Sequence, residues 1–245
     1  MSHLQKLLEK AEGVRKETLT SYDIREIEVY ASGFNTWLRD HPTPGPSPIW
    51  RNAIFECNVL AESSFFMAVH GLYEQASASL RSVLDGFLAR LYWDIKFDRD
   101  EIRKWEEAGR STNEYARWEL GLTRSYPSLW QDVFPKLQSH SLIAGFDKEF
   151  QLFDGSKDLL GTLNLYVHDR PTSRHYGGAT RSSSVNVQFK EKHFREWYRD
   201  LKSIHAMVGQ YSILMYPLLL SANVGQSLRS SQPDVFSRVE DYVTR

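Results

Sequence analysis

Apolar residues recur every three or four positions along most of the chain, the spacing that places them on one face of an α-helix. The pattern is strongest in residues 49–70 and 72–95, two long segments separated by Gly71. Two long apolar helices joined by so short a connection are expected to pack antiparallel. A third long pattern covers residues 190–215, and no succession of alternating strands is indicated. The sequence therefore predicts an all-α protein built as an antiparallel helical bundle.

The first 40 residues carry two further helical patterns, at residues 2–18 and 23–38. They are followed by HPTPGPSP, residues 41–48, where four prolines and a glycine exclude a continuous helix. Such a segment is a stiff, extended connector. We therefore expect an N-terminal helical arm at 1–40, a proline-rich connector and a helical bundle domain at 49–245. The arm is a candidate dimerisation element.

Composition narrows the class of protein. The 245 residues carry a net charge of −1, with 41% hydrophobic and 25% charged residues, as is ordinary for a soluble globular protein. This balance argues against a globally basic nucleic-acid binder but allows a local basic patch. The single cysteine, Cys57, excludes an intramolecular disulfide and a zinc site built on cysteines. Because the amphipathic N-terminus also has no apolar signal core, we expect a cytoplasmic protein.

Residues 203–228 contain no Asp, Glu, Lys or Arg and are long enough to span a bilayer, which takes about 20 apolar residues. However, the segment contains His205 and Gln210, and its most apolar part, residues 213–220, is short. We interpret it as a buried helix that ends or kinks near Pro217, not as a membrane span. Neither the spacing of a metal site nor a glycine-rich phosphate loop is present, so no cofactor is expected.

The densest polar cluster in the sequence follows a helical pattern that ends near residue 167. Two imidazoles, two guanidiniums and a carboxylate occur within eight residues: His168, Asp169, Arg170, Arg174 and His175. Arginine offers planar donor forks suited to phosphate, and histidine exchanges protons near neutral pH. Such groups suit metal-free phosphodiester cleavage, in which one histidine takes a proton from the attacking hydroxyl. The alternative is structural, with His168 closing the helix and the other residues in a solvated loop.

A second polar group interrupts the apolar pattern of residues 72–95. Arg81 and Asp85 are four residues apart, so they share a helix face and can pair. They flank the apolar positions Leu80 and Leu84, which places them at a seam between helices. The pair is a candidate binding site. The alternative is a polar clamp that fixes the register of two helices.

A third candidate is a local basic patch. Residues 170–202 contain eight Lys or Arg and three acids, with aromatic residues interleaved among them. Such a mixture suits single-stranded RNA or a nucleotide, because cations bind phosphate and rings stack on bases. The alternative is an ordinary solvated helix face over a core stripe that includes Phe194 and Trp197. The candidate binding residues of this patch are Arg174, Tyr176, Arg195 and Arg199.

Two runs of the sequence resemble a known family. The run GLYEQASASLRSVLDGFLARLYWD, residues 71–94, is similar to a helix with the pattern LRS-x-L-acidic in many bacterial all-helical proteins. The run LNLYVHDRP, residues 163–171, is similar to a helix end with the pattern S-x-Y-V-H-G in the same proteins. Together they resemble the HEPN-like group of helical bundles over residues 49 to about 220. Members of this group occur in toxin, abortive-infection and phage-defence systems.

The resemblance implies a site and an assembly. Active members of the group use an Arg, four to six further residues and a His as a metal-independent RNase motif, often completed across a homodimer. Arg170 and His175, in RPTSRH, have this spacing, and His168 and Arg174 would support them. The local sequence departs from the pattern, because Pro171 follows the arginine and two glycines follow Tyr176. Other members of the group have no such motif and serve as binding or partner modules.

Two functions follow as hypotheses. The first is a HEPN-like helical module that binds RNA, a nucleotide or a protein partner in a defence or toxin–antitoxin setting. The second is a metal-independent endoribonuclease with Arg170, His175 and His168 as catalytic residues. Because the context of the Arg–His pair departs from the family pattern, the first is preferred. Under either hypothesis we expect a homodimer and no membrane association.

Overall fold

The computed structural model describes residues 2–39, 45–97, 115, 118, 126–167 and 187–245. Within these ranges the chain forms α-helices and short helical turns, and no β-strand is found there. The predicted all-α class is therefore confirmed. No helix in the described part of the chain combines the length and the hydropathy needed to cross a membrane.

The helices, in chain order, are α1 (His3–Ser21), α2 (Ile24–Ala31), α3 (Gly33–Trp37), α4 (Pro48–Val69), α5 (Tyr73–Lys96), α6 (Phe134–Gln138), α7 (Ser141–Phe150), α8 (Leu152–Val167), α9 (Glu191–Met215), α10 (Asn223–Ser231) and α11 (Pro233–Thr244). One turn of π-helix (Leu129–Val133) precedes α6, and one turn of 3-10 helix (Pro217–Leu220) follows α9. The end of α9 before Pro217 agrees with the prediction, whereas α10 was not predicted.

Helices α4 and α5 form the antiparallel hairpin that the sequence predicts. Their contacts run in opposite directions along the chain: Ser64 Oγ donates to the Ala76 carbonyl oxygen at 2.7 Å, and Ser79 Oγ donates to the Leu60 carbonyl oxygen at 2.9 Å. Gly71, in the connection, has a φ of 78°, which glycine adopts without the steric cost that a Cβ would add. The predicted break at this glycine is confirmed.

Helix α5 lies at the centre of the bundle. It contacts α4, α8 and α9, and 14 of its 24 residues are buried. The side chains of Leu80, Leu84 and Phe87 are at most 1% exposed. Full burial of an apolar side chain of this size stabilises the fold by about 1.5–3 kcal/mol. Polar side chains on such a helix must therefore find partners among its neighbours.

Helices α2 and α3 share the core of the bundle. Phe34 and Trp37 are completely buried, and Tyr30 Oη donates to the Ser231 carbonyl oxygen of α10 at 3.0 Å. Most of the segment predicted as an N-terminal arm therefore packs against the helices that follow it. The first half of α1 differs, because Leu4 and Leu8 are 66% and 62% exposed. Residues 41–44 of the predicted connector lie outside the described residues.

The helical pattern at 23–38 is two helices, not the single helix that was predicted. The chain turns at Ser32, whose hydroxyl donates to the Glu28 carbonyl oxygen at 2.7 Å. Gly33 then starts α3 against the ring of His205, and a Cβ at this glycine would lie only 2.8 Å from His205 Nε2. The close approach of helix and ring requires glycine here.

His205 is a completely buried histidine on α9. The rings of Tyr30, Phe34 and Trp37 surround it, with centroids 5.3, 5.4 and 4.7 Å from the imidazole. Its Nδ1 lies 3.4 Å from the Gln232 side-chain nitrogen. Burial lowers the pKa of His205 to about 3, so the folded protein holds the imidazole neutral.

His205 should make stability fall in acid. The ordinary histidine pKa is about 6.5, so between this pH and about 3 the unfolded chain binds a proton that the folded protein does not. Neutral His205 therefore contributes stability above pH 6.5 that is lost as the pH falls, by at most about 1.4 kcal/mol per pH unit. We expect His205→Gln to flatten the dependence of unfolding free energy on pH, measured by urea denaturation from pH 8 to pH 4.5. His3→Gln, at an exposed histidine of α1, is the control, and equal slopes for His205→Gln and the unmodified protein would contradict the prediction.

Candidate functional site

All of the predicted catalytic residues lie outside the described part of the chain. So do two of the predicted binding residues. The residues concerned are His168, Arg170, Arg174, His175 and Tyr176. Helix α8 ends at Val167, one residue before the predicted cluster begins. The site that the structure describes is therefore the surface where the last turn of α8 meets α5.

Arg81 joins α5 to the last turn of α8. Its Nε donates to Asn164 Oδ1 at 2.8 Å, and its Nη1 forms an ion pair with Asp85 on the next turn of α5. Asn164 lies four residues before His168 in the sequence. The predicted pairing of Arg81 and Asp85 is present, and we call Arg81, Asp85 and Asn164 the α5–α8 clamp.

The low exposure of the Arg81 and Asp85 side chains makes their pairing important for stability. The Arg81 side chain is 11% exposed and the Asp85 side chain 27% exposed. Burial lowers the pKa of Arg81 to about 10, and the nearby Tyr126 phenol acts in the opposite direction. At this pKa the guanidinium remains charged at neutral pH. A cation with so little exposure needs polar partners, and Asp85 and Asn164 provide them.

The clamp leaves part of its hydrogen-bonding capacity unused. A guanidinium carries five N–H donors, and in Arg81 only Nε and Nη1 face partners among the described residues. Its Nη2 makes no hydrogen bond to a described residue, and Asp85 Oδ1 is buried without a hydrogen-bond partner in that part of the chain. Most buried polar groups in folded proteins are satisfied. The unused N–H donors of Nη2 complement an anionic acceptor such as a phosphate, whereas the buried Asp85 Oδ1 is closed to a ligand.

The cations predicted to form a basic patch on α9 are paired with acids. Arg195 Nη2 lies 2.5 Å from Glu191 Oε1, and Arg199 Nη2 lies 3.3 Å from Asp200 Oδ1. Both arginine side chains are about two-thirds exposed, at 69% and 66%. An ion pair at such exposure is weak, but it reduces the positive field that the residue count indicated. The α9 surface is therefore a weaker anion site than the sequence suggested.

Two of the aromatic residues interleaved with these cations are core residues. Phe194 and Trp197 are completely buried, and Trp197 Nε1 donates to Ser64 Oγ of α4 at 2.8 Å. The prediction that they stack on bases is wrong, because no ligand can reach their faces. The alternative interpretation, a core stripe beneath a charged helix face, is confirmed for these two residues.

Sequence reasoning missed Asn164 and Tyr126. Asn164 lies four residues before the polar cluster in the sequence, so its position was a usable signal. Tyr126 precedes Pro127 in a stretch without helical periodicity, and nothing in the sequence connects it to Arg81. The relation between the two emerges only from the fold, where the phenol is close enough to act on the guanidinium charge.

Comparison of this chain with protein-family models, with curated proteins and with solved structures found no match. The resemblance to HEPN-like proteins therefore remains a prediction from two short runs of sequence. In the fold these two runs meet, because Arg81 belongs to residues 71–94 and Asn164 to residues 163–171. The hydrogen bond between Arg81 and Asn164 places both runs at the α5–α8 clamp.

The clamp should show strong energetic coupling. Removing either charge leaves the other poorly solvated, so we expect Arg81→Met and Asp85→Leu each to lower the unfolding free energy by about 1–3 kcal/mol. The double variant should lose much less than the sum, because no unpaired charge then remains. Urea denaturation of all four proteins measures the coupling.

The exposed pair Glu191 and Arg195 supplies the matched control. Both members lie on one helix four residues apart, as in the clamp, but at much greater exposure. We expect the cycle Glu191→Leu and Arg195→Met to show clearly weaker coupling. Equal coupling in the two cycles would mean that burial adds nothing to the clamp.

Proposed function

We propose that this chain is a HEPN-like helical module that binds RNA or a nucleotide, with Arg81 and Asp85 at the binding surface. One observation carries the proposal: a guanidinium that is 11% exposed is held by Asp85 and Asn164 while its Nη2 donors remain without a partner among the described residues. A phosphate is the ligand that best matches a planar, charged pair of N–H donors.

Preorganisation supports a binding role for Arg81. Side-chain immobilisation usually costs about 0.5–1.5 kcal/mol on binding for each flexible side chain. Asp85 and Asn164 already fix the Arg81 guanidinium in the free protein, so this cost is smaller here. Arg195 bonds Glu191 and the Tyr22 hydroxyl, and Arg199 pairs with the buried Asp200, but both arginine side chains are about two-thirds exposed, against 11% for Arg81. Because its guanidinium is already fixed and has unused donors, Arg81 is favoured as the residue that binds phosphate.

The sequence beside the clamp also favours a ligand that carries phosphate. Arg170 and Arg174 follow Asn164 by six and ten residues, and arginine offers planar donor forks suited to phosphate. Asp85 contributes by holding Arg81 in place, since its unpaired Oδ1 is buried.

Arg81 variants test this function. We expect Arg81→Gln to weaken binding of a fluorescein-labelled single-stranded RNA of twelve nucleotides by roughly 10-fold or more, as loss of a charge-assisted contact implies. Arg81→Lys should recover only part of the affinity, because an ammonium cannot serve Asn164, Asp85 and a phosphate together. Fluorescence anisotropy at several salt concentrations measures the affinity of each variant. In Arg81→Gln the slope of log Kd against log salt concentration should correspond to about one phosphate contact fewer.

The double variant Arg81→Met with Asp85→Leu separates binding from a purely structural clamp. It removes the ligand-binding groups without leaving an unpaired charge, so the protein should fold and fail to bind RNA. Arg195→Gln is the control for a general loss of positive charge and should have little effect. A folded double variant that binds RNA as the unmodified protein does would refute the proposal. Binding of a protein partner without any RNA affinity would favour the alternative partner-module role.

RNA cleavage is the second candidate function, and the spacing of Arg170 and His175 favours it. In this case RNA should be cut in the presence of EDTA, since the motif needs no metal. Arg170→Ala and His175→Ala should each abolish cutting while leaving the melting temperature unchanged. Gel analysis of a labelled RNA measures the products. Cutting that persists in both variants would exclude this assignment, and RNA that stays intact with the unmodified protein would leave binding as the function.

A further inference from the structure

Helix α4 is apolar on two opposite faces. One face belongs to the core, where Ile54 and Cys57 are at most 1% exposed. The other face points outward, yet Phe55 is 62% exposed, Val59 46% and Phe66 63%. A helix that is apolar all round is normally covered on every side, and adjoining exposed apolar residues mark interaction sites. The outward face of α4 is therefore a candidate interaction surface.

The residues of this face form one stripe, which we call the α4 stripe. They are spaced three or four positions apart, so they lie in line along the helix: Pro48, Arg51, Phe55, Val59, Glu62 and Phe66. The proline is half-buried and the other five are exposed. From residue 48 to residue 66 the stripe covers about 27 Å of helix. In either direction it has the same order: apolar, charged, apolar, apolar, charged, apolar.

Contacts within α4 hold part of the stripe in place. Asn58 Nδ2 donates to Glu62 Oε1 at 3.1 Å, which restrains the carboxylate. The ring of Phe66 packs on the ring of His70, with centroids 4.2 Å apart. Restrained side chains lose less freedom when a partner covers them, which favours binding at this surface.

A second copy of α4, turned antiparallel about a two-fold axis, complements the stripe. With the axis near residue 57, Phe55 of each copy meets Val59 of the other. Arg51 of each copy then meets Glu62 of the other, so opposite charges face one another on both sides of an apolar centre. A parallel pairing in register would instead place each charge against its like, which is unfavourable. Because a two-fold contact uses the same surface on both copies, it closes with two chains.

The neighbouring helix leaves room for this approach. Ser79 Oγ of α5 donates to the Leu60 carbonyl oxygen of α4, so the two helices run side by side. The exposed and half-buried residues along this edge of α5 include Ser79 and Ser82, whose side chains are small. Arg81 lies two residues after Ser79, about 200° round the helix, so the α5–α8 clamp is on the opposite side of α5.

We propose that the α4 stripe is the interface of a homodimer, with two copies of α4 packed antiparallel. Phe55 and Val59 form its centre, and Arg51 and Glu62 pair at its two ends. The inference does not rest on the proposed function, because the interface and the α5–α8 clamp lie on opposite sides of α5. One pair of helices is a small interface, so the dimer should be reversible and depend on concentration.

Sedimentation equilibrium of the 245-residue chain measures this association. We expect the mass to rise from 28.5 kDa toward twice this value between about 5 and 200 µM protein. Val59→Asp places a carboxylate at the centre of the interface and should weaken dimerisation roughly 10-fold or more. Val29→Asp is the matched control, because this valine of α2 is also 46% exposed, and it should leave dimerisation unchanged.

Exchange of the two charges tests the antiparallel pairing itself. Arg51→Glu alone sets two acids against each other and Glu62→Arg alone sets two cations against each other, so each variant should dimerise roughly 5-fold more weakly. A mixture of the two variants restores both pairs of opposite charge, because each chain supplies the charge that the other has lost. We therefore expect heterodimers in the mixture at a concentration where each variant alone is largely monomeric. Sedimentation velocity with one variant fluorescently labelled detects them.

The other outcomes overturn the proposal. A chain that stays monomeric over the whole concentration range has no such interface. A dimer that Val59→Asp leaves intact and Leu8→Asp dissociates would place the interface on α1, where Leu8 is as exposed as Phe55, at 62%. Charge variants that fail to associate in the mixture exclude the antiparallel pairing. RNA binding through Arg81 is measured separately, so none of these results decides the proposed function.

Discussion

A charged side chain on the central helix of a bundle needs partners, and this requirement shapes the surroundings of Arg81. Helix α5 is covered by α4, α8 and α9, and most of its buried side chains are apolar. Within that setting an unpaired guanidinium would cost several kcal/mol, so Asp85 and Asn164 are needed to hold it. The contact also fixes where the last turn of α8 lies against α5. The same interaction therefore compensates the charge of Arg81 and fixes the position of the last turn of α8.

This constraint distinguishes the clamp from the arginines of α9. Arg195 and Arg199 extend from a helix surface with about two-thirds of each side chain exposed, and the Arg195–Glu191 pair, exposed on both sides, contributes little to stability. Arg81 is oriented by two helices, and its Nη2 donors remain without a partner among the described residues. The number of cations in a stretch of sequence is thus a poor guide to an anion site. The degree to which a guanidinium is oriented and left with free donors is a better one.

Much of the fold could be predicted from periodicity, and the reason is physical. Long apolar stripes such as those of α4 and α5 leave few ways to bury their faces, and Gly71 marks the only break between them. The break at Ser32 could not be predicted, because it depends on Gly33 meeting His205 from a helix 172 positions later in the chain. Likewise, the pairing of Arg81 with Asp85 follows from spacing, whereas its bond to Asn164 depends on how α8 crosses α5.

The predictions for the candidate site succeeded or failed for the same reason. Residues on one helix face were placed correctly relative to one another, as with Arg81 and Asp85. Residues chosen from local charge and aromatic content were not, since Phe194 and Trp197 belong to the core. Tyr126 acts on the charge of Arg81 from a distant segment, an effect that no local pattern indicates. Chemistry assembled from distant segments cannot be inferred from local pattern alone.

Observing the Arg81 guanidinium itself gives the most direct test of the central claim. The Nε–H of a fixed guanidinium gives a sharp nitrogen–proton NMR signal that exchanges slowly with water, and Arg81→Lys would assign it by removing that signal. We predict that the Arg81 signal is present in the free protein and shifts as single-stranded RNA is added, in step with binding, while the Arg195 signal does not follow the same course. RNA that binds and leaves the Arg81 signal unmoved would show that the clamp is a structural joint and that the ligand lies elsewhere.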